Sequence, residues 1–146
     1  MIEIFTTGGT IDKVYFDALS EYQIGPAAIP DLLQENNVFV AHRVTQLMRK
    51  DSLDLTDADR QRVHAAVVSS PADKILITHG TDTMAQTGRM LADIEGKTIV
   101  LTGAMQPATL RNSDAEFNVG FALAAVQCLP SGVYIAINGQ LFDPFR

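Results

Sequence analysis

Four short apolar runs pace this chain: Ile2-Glu3-Ile4-Phe5, Ile75-Leu76-Ile77-Thr78, Ile99-Val100-Leu101-Thr102 and Val133-Tyr134-Ile135-Ala136-Ile137. Runs of this length, apolar nearly throughout and bounded by turn residues, predict strands covered on both faces. Val38-Phe39-Val40-Ala41 predicts the start of another strand, continued by Val44 and Leu47. Helical patterns fall between the runs. Ile29-Pro30-Asp31-Leu32-Leu33 predicts a short helix with proline in its first turn, stopping at Asn36-Asn37. Thr56 with Asp59 is spaced like a capping box, and the helix behind it presents Val63, Ala66 and Val67 and ends at Ser70-Pro71. Thr81 or Asp82 can cap the next, which carries Met84, Leu91 and Ile94 and stops at Gly96. Ser113 with Glu116 predicts a full capping box for the last, with Phe117, Phe121, Ala124, Ala125 and Cys128 on one face. Residues 12–24 are polar and hold no sustained period, and they close on Gly25-Pro26. They read as a loop, either a lid over a neighbouring site or ordinary surface.

Strands alternating with helices predict one α/β domain over residues 1–146: a mostly parallel sheet flanked by helices, flavodoxin-like and three-layered. In such a sheet the strand C-termini share one edge, and ligands bind outside it. The glycine turns fall at those ends: Thr6-Thr7-Gly8-Gly9-Thr10-Ile11-Asp12, His79-Gly80-Thr81-Asp82-Thr83, Gly103-Ala104-Met105 and Asn138-Gly139. Small polar residues and exposed backbone are thereby delivered to one crevice.

Composition narrows the function. A net charge of -6, with no basic cluster longer than Arg49-Lys50, argues against nucleic acid and anionic membrane as partners. The single Cys128 forms no internal disulfide and fits a reducing compartment, and no window approaches a membrane span. A cytoplasmic location is the expectation.

The expected rim carries Thr6, Thr7, Thr10, Thr78, Thr81, Thr83, Thr102 and Asp82. A threonine hydroxyl is a weak nucleophile that needs a neighbouring base, while backbone N–H groups at the Gly8-Gly9 and Gly80 turns can hold an oxyanion or a carboxylate. These parts suit acyl transfer. A phosphate loop lacks its spacing here, no GxGxxG follows a strand, and no GxSxG elbow is present. His42, His64 and His79 lack paired metal spacing, so no metal or cofactor enters this reading. His79 at a strand end is either a base or a hydrogen-bonding residue. Cys128, on an apolar helix face, reads as core.

Thr7-Gly8-Gly9-Thr10-Ile11 and Thr78-His79-Gly80-Thr81-Asp82-Thr83-Met84 resemble the two signature motifs of the bacterial-type L-asparaginases. Gly103-Ala104-Met105-Gln106-Pro107 resembles a third segment, and the similarity runs on through Phe117-Asn118 to the Gly132-Val133 strand. The resemblance implies a threonine amidohydrolase that converts L-asparagine and water to L-aspartate and ammonia, working as a homo-oligomer, a dimer or tetramer. By position it implies Thr10 as nucleophile, Tyr22 on a mobile loop as its activator, and Thr81 as second catalytic threonine. Asp82 then supports Thr81 and binds the substrate amino group. Ser52 grips the α-carboxylate, Gly9 and Gly80 line the substrate, and the Ala104 carbonyl faces the departing amide. Leu53 stands where the family has glutamine. The resemblance places a catalytic lysine just after Asp143-Pro144, and a smaller second domain lends a glutamate to a neighbouring subunit. The sequence ends at Arg146, so the expectation is a short form resembling only the N-terminal catalytic domain. Its base is then sought among Asp82, Tyr22 and Lys13. Two alternatives stand beside this reading: an amidase for another amide such as glutamine, and a non-catalytic aspartate or asparagine sensor.

Overall fold

A computed structural model describes residues 1–16 and 21–146. Its centre is a sheet of six strands: β1 (Ile2–Gly8), β4 (His42–Lys50), β5 (Lys74–Thr78), β6 (Thr98–Thr102), β7 (Gly132–Ile137) and β8 (Gln140–Phe142). Their spatial order is β4-β1-β5-β6-β7-β8. The first five are parallel, and β8 returns antiparallel to β7. Leaving β8 aside, the order reduces to the 2-1-3-4-5 of flavodoxin-like folds. Two small strands, β2 (Lys13–Phe16) and β3 (Glu21–Ile24), form a separate antiparallel ribbon.

Each strand sends alternate residues to opposite faces, and this builds two cores. Ile4, Leu76, Val100 and Ala136 face α1 (Ile29–Glu35) and α4 (Ala115–Cys128). Phe5, Ile75, Ile77, Ile99, Leu101 and Ile135 face α2 (Asp57–Ser69) and α3 (Met84–Met90). Three layers result, as the alternation of short strands and helices predicts.

Local chemistry sets the element ends. Thr56 and Asp59 form the capping box of α2 in both directions, a cap of about 1 kcal/mol. Ser113 and Glu116 form none: α4 begins at Ala115 behind Asp114, and the Ser113 hydroxyl instead accepts from Ala115 N and donates to Gln106 O. The α3 helix stops at Met90, and Gly96 (φ 77°) serves the turn into β6 rather than a helix end. Its N-cap is Thr83, not Thr81 or Asp82.

Three further expectations are corrected. The second strand begins at His42, not at the apolar run before it, where Phe39 is 91% exposed. As an edge strand β4 pairs only with β1, and Arg43 reaches across that register to ion-pair with the buried Glu3. On α4 the buried positions are Ala115, Asn118, Val119, Ala122, Leu123, Ala125 and Val126, while Phe117 and Cys128 are exposed. That helix is apolar on nearly every side, so its pattern selects no face. Residues 12–24 contain the β2–β3 ribbon rather than an irregular loop, and residues 17–20 lie outside the described residues. Among the described residues no helix is long and apolar enough to cross a membrane.

Candidate active site

The C-terminal ends of β1, β4, β5 and β6 meet at one edge, and glycine is what lets them close. Gly9 (φ 85°) donates its N–H to Lys50 O at 3.0 Å, and a Cβ on it would lie 2.6 Å from Gly80 N. A Cβ on Gly80 would lie 2.6 Å from the Ser52 Cβ. One on Gly103 would lie 2.2 Å from His79 O. Gly9, Gly80 and Ser52 are therefore in direct contact, and the Gly103-Ala104 turn abuts the His79 backbone. Ser52 opens a 3-10 turn (Ser52–Asp54) capped by Asp51, and its buried hydroxyl has no partner among the described residues.

Burial sorts the expected rim. Thr6, Thr7, Thr78 and Thr102 are buried within the sheet rather than at the rim. Thr7 Oγ1 donates to Thr78 O at 2.9 Å and Thr102 Oγ1 to Ala136 O at 2.7 Å, tying neighbouring strand ends together. Thr83 Oγ1 donates to Ser52 O at 2.8 Å. Thr10, first residue of a 3-10 turn (Thr10–Asp12), and Thr81 remain half-buried. The Thr81 hydroxyl lies 3.8 Å from the Met105 sulfur, a weak acceptor that a better one displaces. Asp82 is exposed beside it, and Ala104 is buried in the third turn.

Tyr22 belongs to the ribbon. It lies on β3 opposite Tyr15, the rings edge-on with centroids 5.5 Å apart, and is 47% exposed. The ribbon's base is fixed by Asp12: its N–H donates to Gly9 O, its O accepts from Gly25 N, and its carboxylate accepts from Ala28 N at 2.9 Å. Lys13 turns towards the Ser52 turn, its ammonium 3.7 Å from Asp51. A cavity of about 380 Å³ opens behind this base, between Asp12, Ala28, Leu32, Ala108 and Glu116; Thr10, Ser52 and Thr81 do not line it.

Two supporting residues escaped the sequence reading. The Asp114 carboxylate accepts from Met105 N and Gln106 N and so holds the third turn. Asn118, fully buried, donates to Gly103 O at 2.9 Å and accepts from Asn138 N at 2.9 Å, locking that turn to the end of β7. An acid twelve residues past the end of β6 carries no local signal of such a role.

His79 resolves in favour of hydrogen bonding. Fully buried, it meets Gly80 O through Nδ1 and Thr87 Oγ1 through Nε2, and burial lowers its pKa to about 4. Burial also pushes Asp12 up to about 6, against the pull of the Ala28 N–H and Arg49. The two act oppositely on stability. Between pH 6.5 and about 4 the unfolded chain takes up a proton at His79 that the folded chain refuses, so stability is lost as pH falls. Between 3.8 and about 6 the folded chain keeps a proton at Asp12 that the unfolded chain has released, so stability is lost as pH rises. Each amounts to about 3 kcal/mol. The wild-type urea midpoint is therefore expected to change little between pH 4.5 and 6. In Asp12→Asn, which keeps the acceptor for Ala28, it falls steadily on acidification. A variant profile as flat as the wild type refutes the compensation.

The family model described as Asparaginase, N-terminal matches residues 1–146. The chain belongs to the asparaginase family. A probable periplasmic L-asparaginase from Haemophilus influenzae is 31% identical across 96% of this asparaginase-family chain, which covers 43% of that protein. A glutaminase-asparaginase from Pseudomonas fluorescens biotype A is 30% identical across 96% of the chain and 42% of its own length. Among solved structures, the thermostable L-asparaginase from Thermococcus kodakarensis superposes with a TM-score of 0.85 at 29% identity, over 99% of this chain and 46% of that one. The asparaginase-family chain thus spans somewhat under half the length of the curated relatives it matches.

Proposed function

We propose that this chain hydrolyses the side-chain amide of L-asparagine, giving L-aspartate and ammonia, as a single catalytic domain over residues 1–146. The observation that carries the reading is the close approach of Gly9, Gly80 and Ser52, which brings together the turns that carry the two half-buried threonines, Thr10 and Thr81. The family membership and the names of the relatives support it. Thr10 Oγ attacks the amide carbon while its proton passes to a base; Tyr22 and Thr81, the latter supported by Asp82, are the groups assigned to that transfer. The base hands that proton to the nitrogen as the C–N bond breaks, and ammonia leaves past the Ala104 carbonyl. Water attacks the ester left on Thr10, releases aspartate and restores the hydroxyl. Ser52, whose buried donor has no partner among the described residues, binds the substrate carboxylate, Asp82 its amino group, and the Gly9 and Gly80 backbone lines the bound chain.

Ammonia release from L-asparagine and L-glutamine, compared at steady state, tests this. Asparagine is expected to have the higher kcat/KM, and the reverse order replaces it with the glutaminase reading that the Pseudomonas relative's name favours. Tight calorimetric binding of aspartate without turnover establishes a sensor instead. We further assign the protein to the cytoplasm as a homo-oligomer. Cell fractionation tests the location, since the Haemophilus relative is named periplasmic, and light scattering tests the assembly.

A further inference from the structure

Behind the second glycine turn lies a buried cation whose ion-pair partner is out in solvent. Arg60, on α2, is 5% exposed, and Asp57, 3.8 Å from it, is almost fully exposed. Its guanidinium spends its hydrogen bonds on Leu55 O at 3.2 Å and, through Nε, on Thr87 Oγ1 of α3 at 3.1 Å. Taking a charge out of water is costly, and an apolar side chain fills such a place at no such cost. Packing alone does not account for an arginine there.

The donors and acceptors fix a direction. Gly80 O only accepts, so His79 Nδ1, 2.6 Å away, carries the proton. Nε2 is then bare and accepts from the Thr87 hydroxyl at 2.7 Å. Thr87 Oγ1, having given its proton inward, has lone pairs left for Arg60 Nε–H. Every proton in the chain Arg60 → Thr87 → His79 → Gly80 has one acceptor. Protonating His79 breaks this order: Thr87 then faces two donors, and its own proton loses the acceptor it had on Nε2. The far end of the chain is the peptide joining Gly80 to Thr81. In a trans peptide the carbonyl and the following N–H point opposite ways. Drawing Gly80 O inward onto His79 turns the Thr81 N–H the other way, away from the buried imidazole.

We propose that Arg60, Thr87 and His79 form a buried positioning relay that sets the Gly80–Thr81 peptide and so holds Thr81 and its N–H ready for the amide substrate. This rests on the amide-hydrolase reading above and deepens it. Arg60 and Thr87 are positioning residues; neither touches the crevice.

Two measurements test the relay, one of them independent of turnover. Nitrogen-15 NMR of the free protein at pH 7 is expected to show His79 protonated at Nδ1 and bare at Nε2; the opposite tautomer overturns the proposal. In ammonia release from L-asparagine, Thr87→Val is expected to lower kcat by about 10- to 100-fold with KM within about threefold, and Thr87→Ser to stay within about threefold of wild type. Arg60→Met, which removes the charge but keeps the packing, is expected to lower kcat in the same way and serves if Thr87→Val does not fold. Wild-type kcat in Thr87→Val, or in Arg60→Met, overturns the relay. If the wild type itself releases no ammonia, the functional reading fails while the relay is still judged: the Gly80 and Thr81 amide resonances are expected to move in Arg60→Met and hold in Thr87→Ser, and unmoved resonances in Arg60→Met overturn it.

Discussion

Thr10→Ala is expected to reduce ammonia release from L-asparagine by at least about a thousandfold, and Thr81→Ala by a comparable factor, with the far-UV circular dichroism of both unchanged. The size follows from the assigned roles: removing a nucleophile, or the group that works with it, typically costs 10³ or more in kcat. The unchanged fold follows from position. Both threonines are half-buried at the mouths of turns, and neither belongs to the hydrogen-bonded ties between strand ends that Thr7 and Thr102 provide. Because members of one catalytic unit are not additive, the double variant is expected to lose little beyond the worse single one. Activity within tenfold of wild type in either single variant removes that threonine from the mechanism.

The second large effect concerns stability. Gly103→Ala is expected to destabilise the fold by at least about 3 kcal/mol, or to leave no soluble protein, because the new methyl would meet the His79 carbonyl at 2.2 Å. The obstacle is backbone, not the mobile end of a side chain, so β5 and β6 have to part at their C-terminal ends for it to fit. Gly120→Ala is the control. That glycine is exposed on α4 with nothing within 4 Å of an added Cβ, and alanine there is expected to stabilise by about 1 kcal/mol through helix propensity alone. Urea unfolding of the pair reads both signs, and a Gly103→Ala midpoint near wild type refutes the close approach of the two turns.

The sequence reads best where one physical signal acts without a competitor. The strands at the centre of the sheet are covered on both faces, so β5, β6 and β7 appear as unbroken apolar runs. The cap of α2 is written in two residues three apart. Legibility fails where the environment is one-sided or uniform. The edge strand β4 mixes polar and apolar positions, and the more apolar residues ahead of it drew the expected start several positions too early. The β2–β3 ribbon shows no alternation because β3 is largely exposed. The return of β8 rests on Asn138 and Gly139 at φ 55° and 75°, a turn signal read only as a strand end.

The glycine turns of the site were legible for a related reason. Close backbone approach demands glycine whatever lies around it, so Gly9, Gly80 and Gly103 announce themselves. Asp114, Asn118 and Arg60 act through partners distant in sequence, and no local pattern marks them.

The clamp that Asp12 places on the ribbon has a mechanical consequence. Its three hydrogen bonds reach the Thr10 turn, Gly25 and the start of α1, joining both feet of the ribbon to one rigid block. The strands between are already paired, so their backbones have lost most of their freedom before any ligand arrives. Any displacement of such a ribbon carries its paired strands as a stiff unit rather than residue by residue. Moving a stiff unit costs a few torsions at its ends, whereas ordering a slack loop costs about 1–2 kcal/mol for every residue fixed. More of the energy of binding a ligand at this edge is then left to hold it.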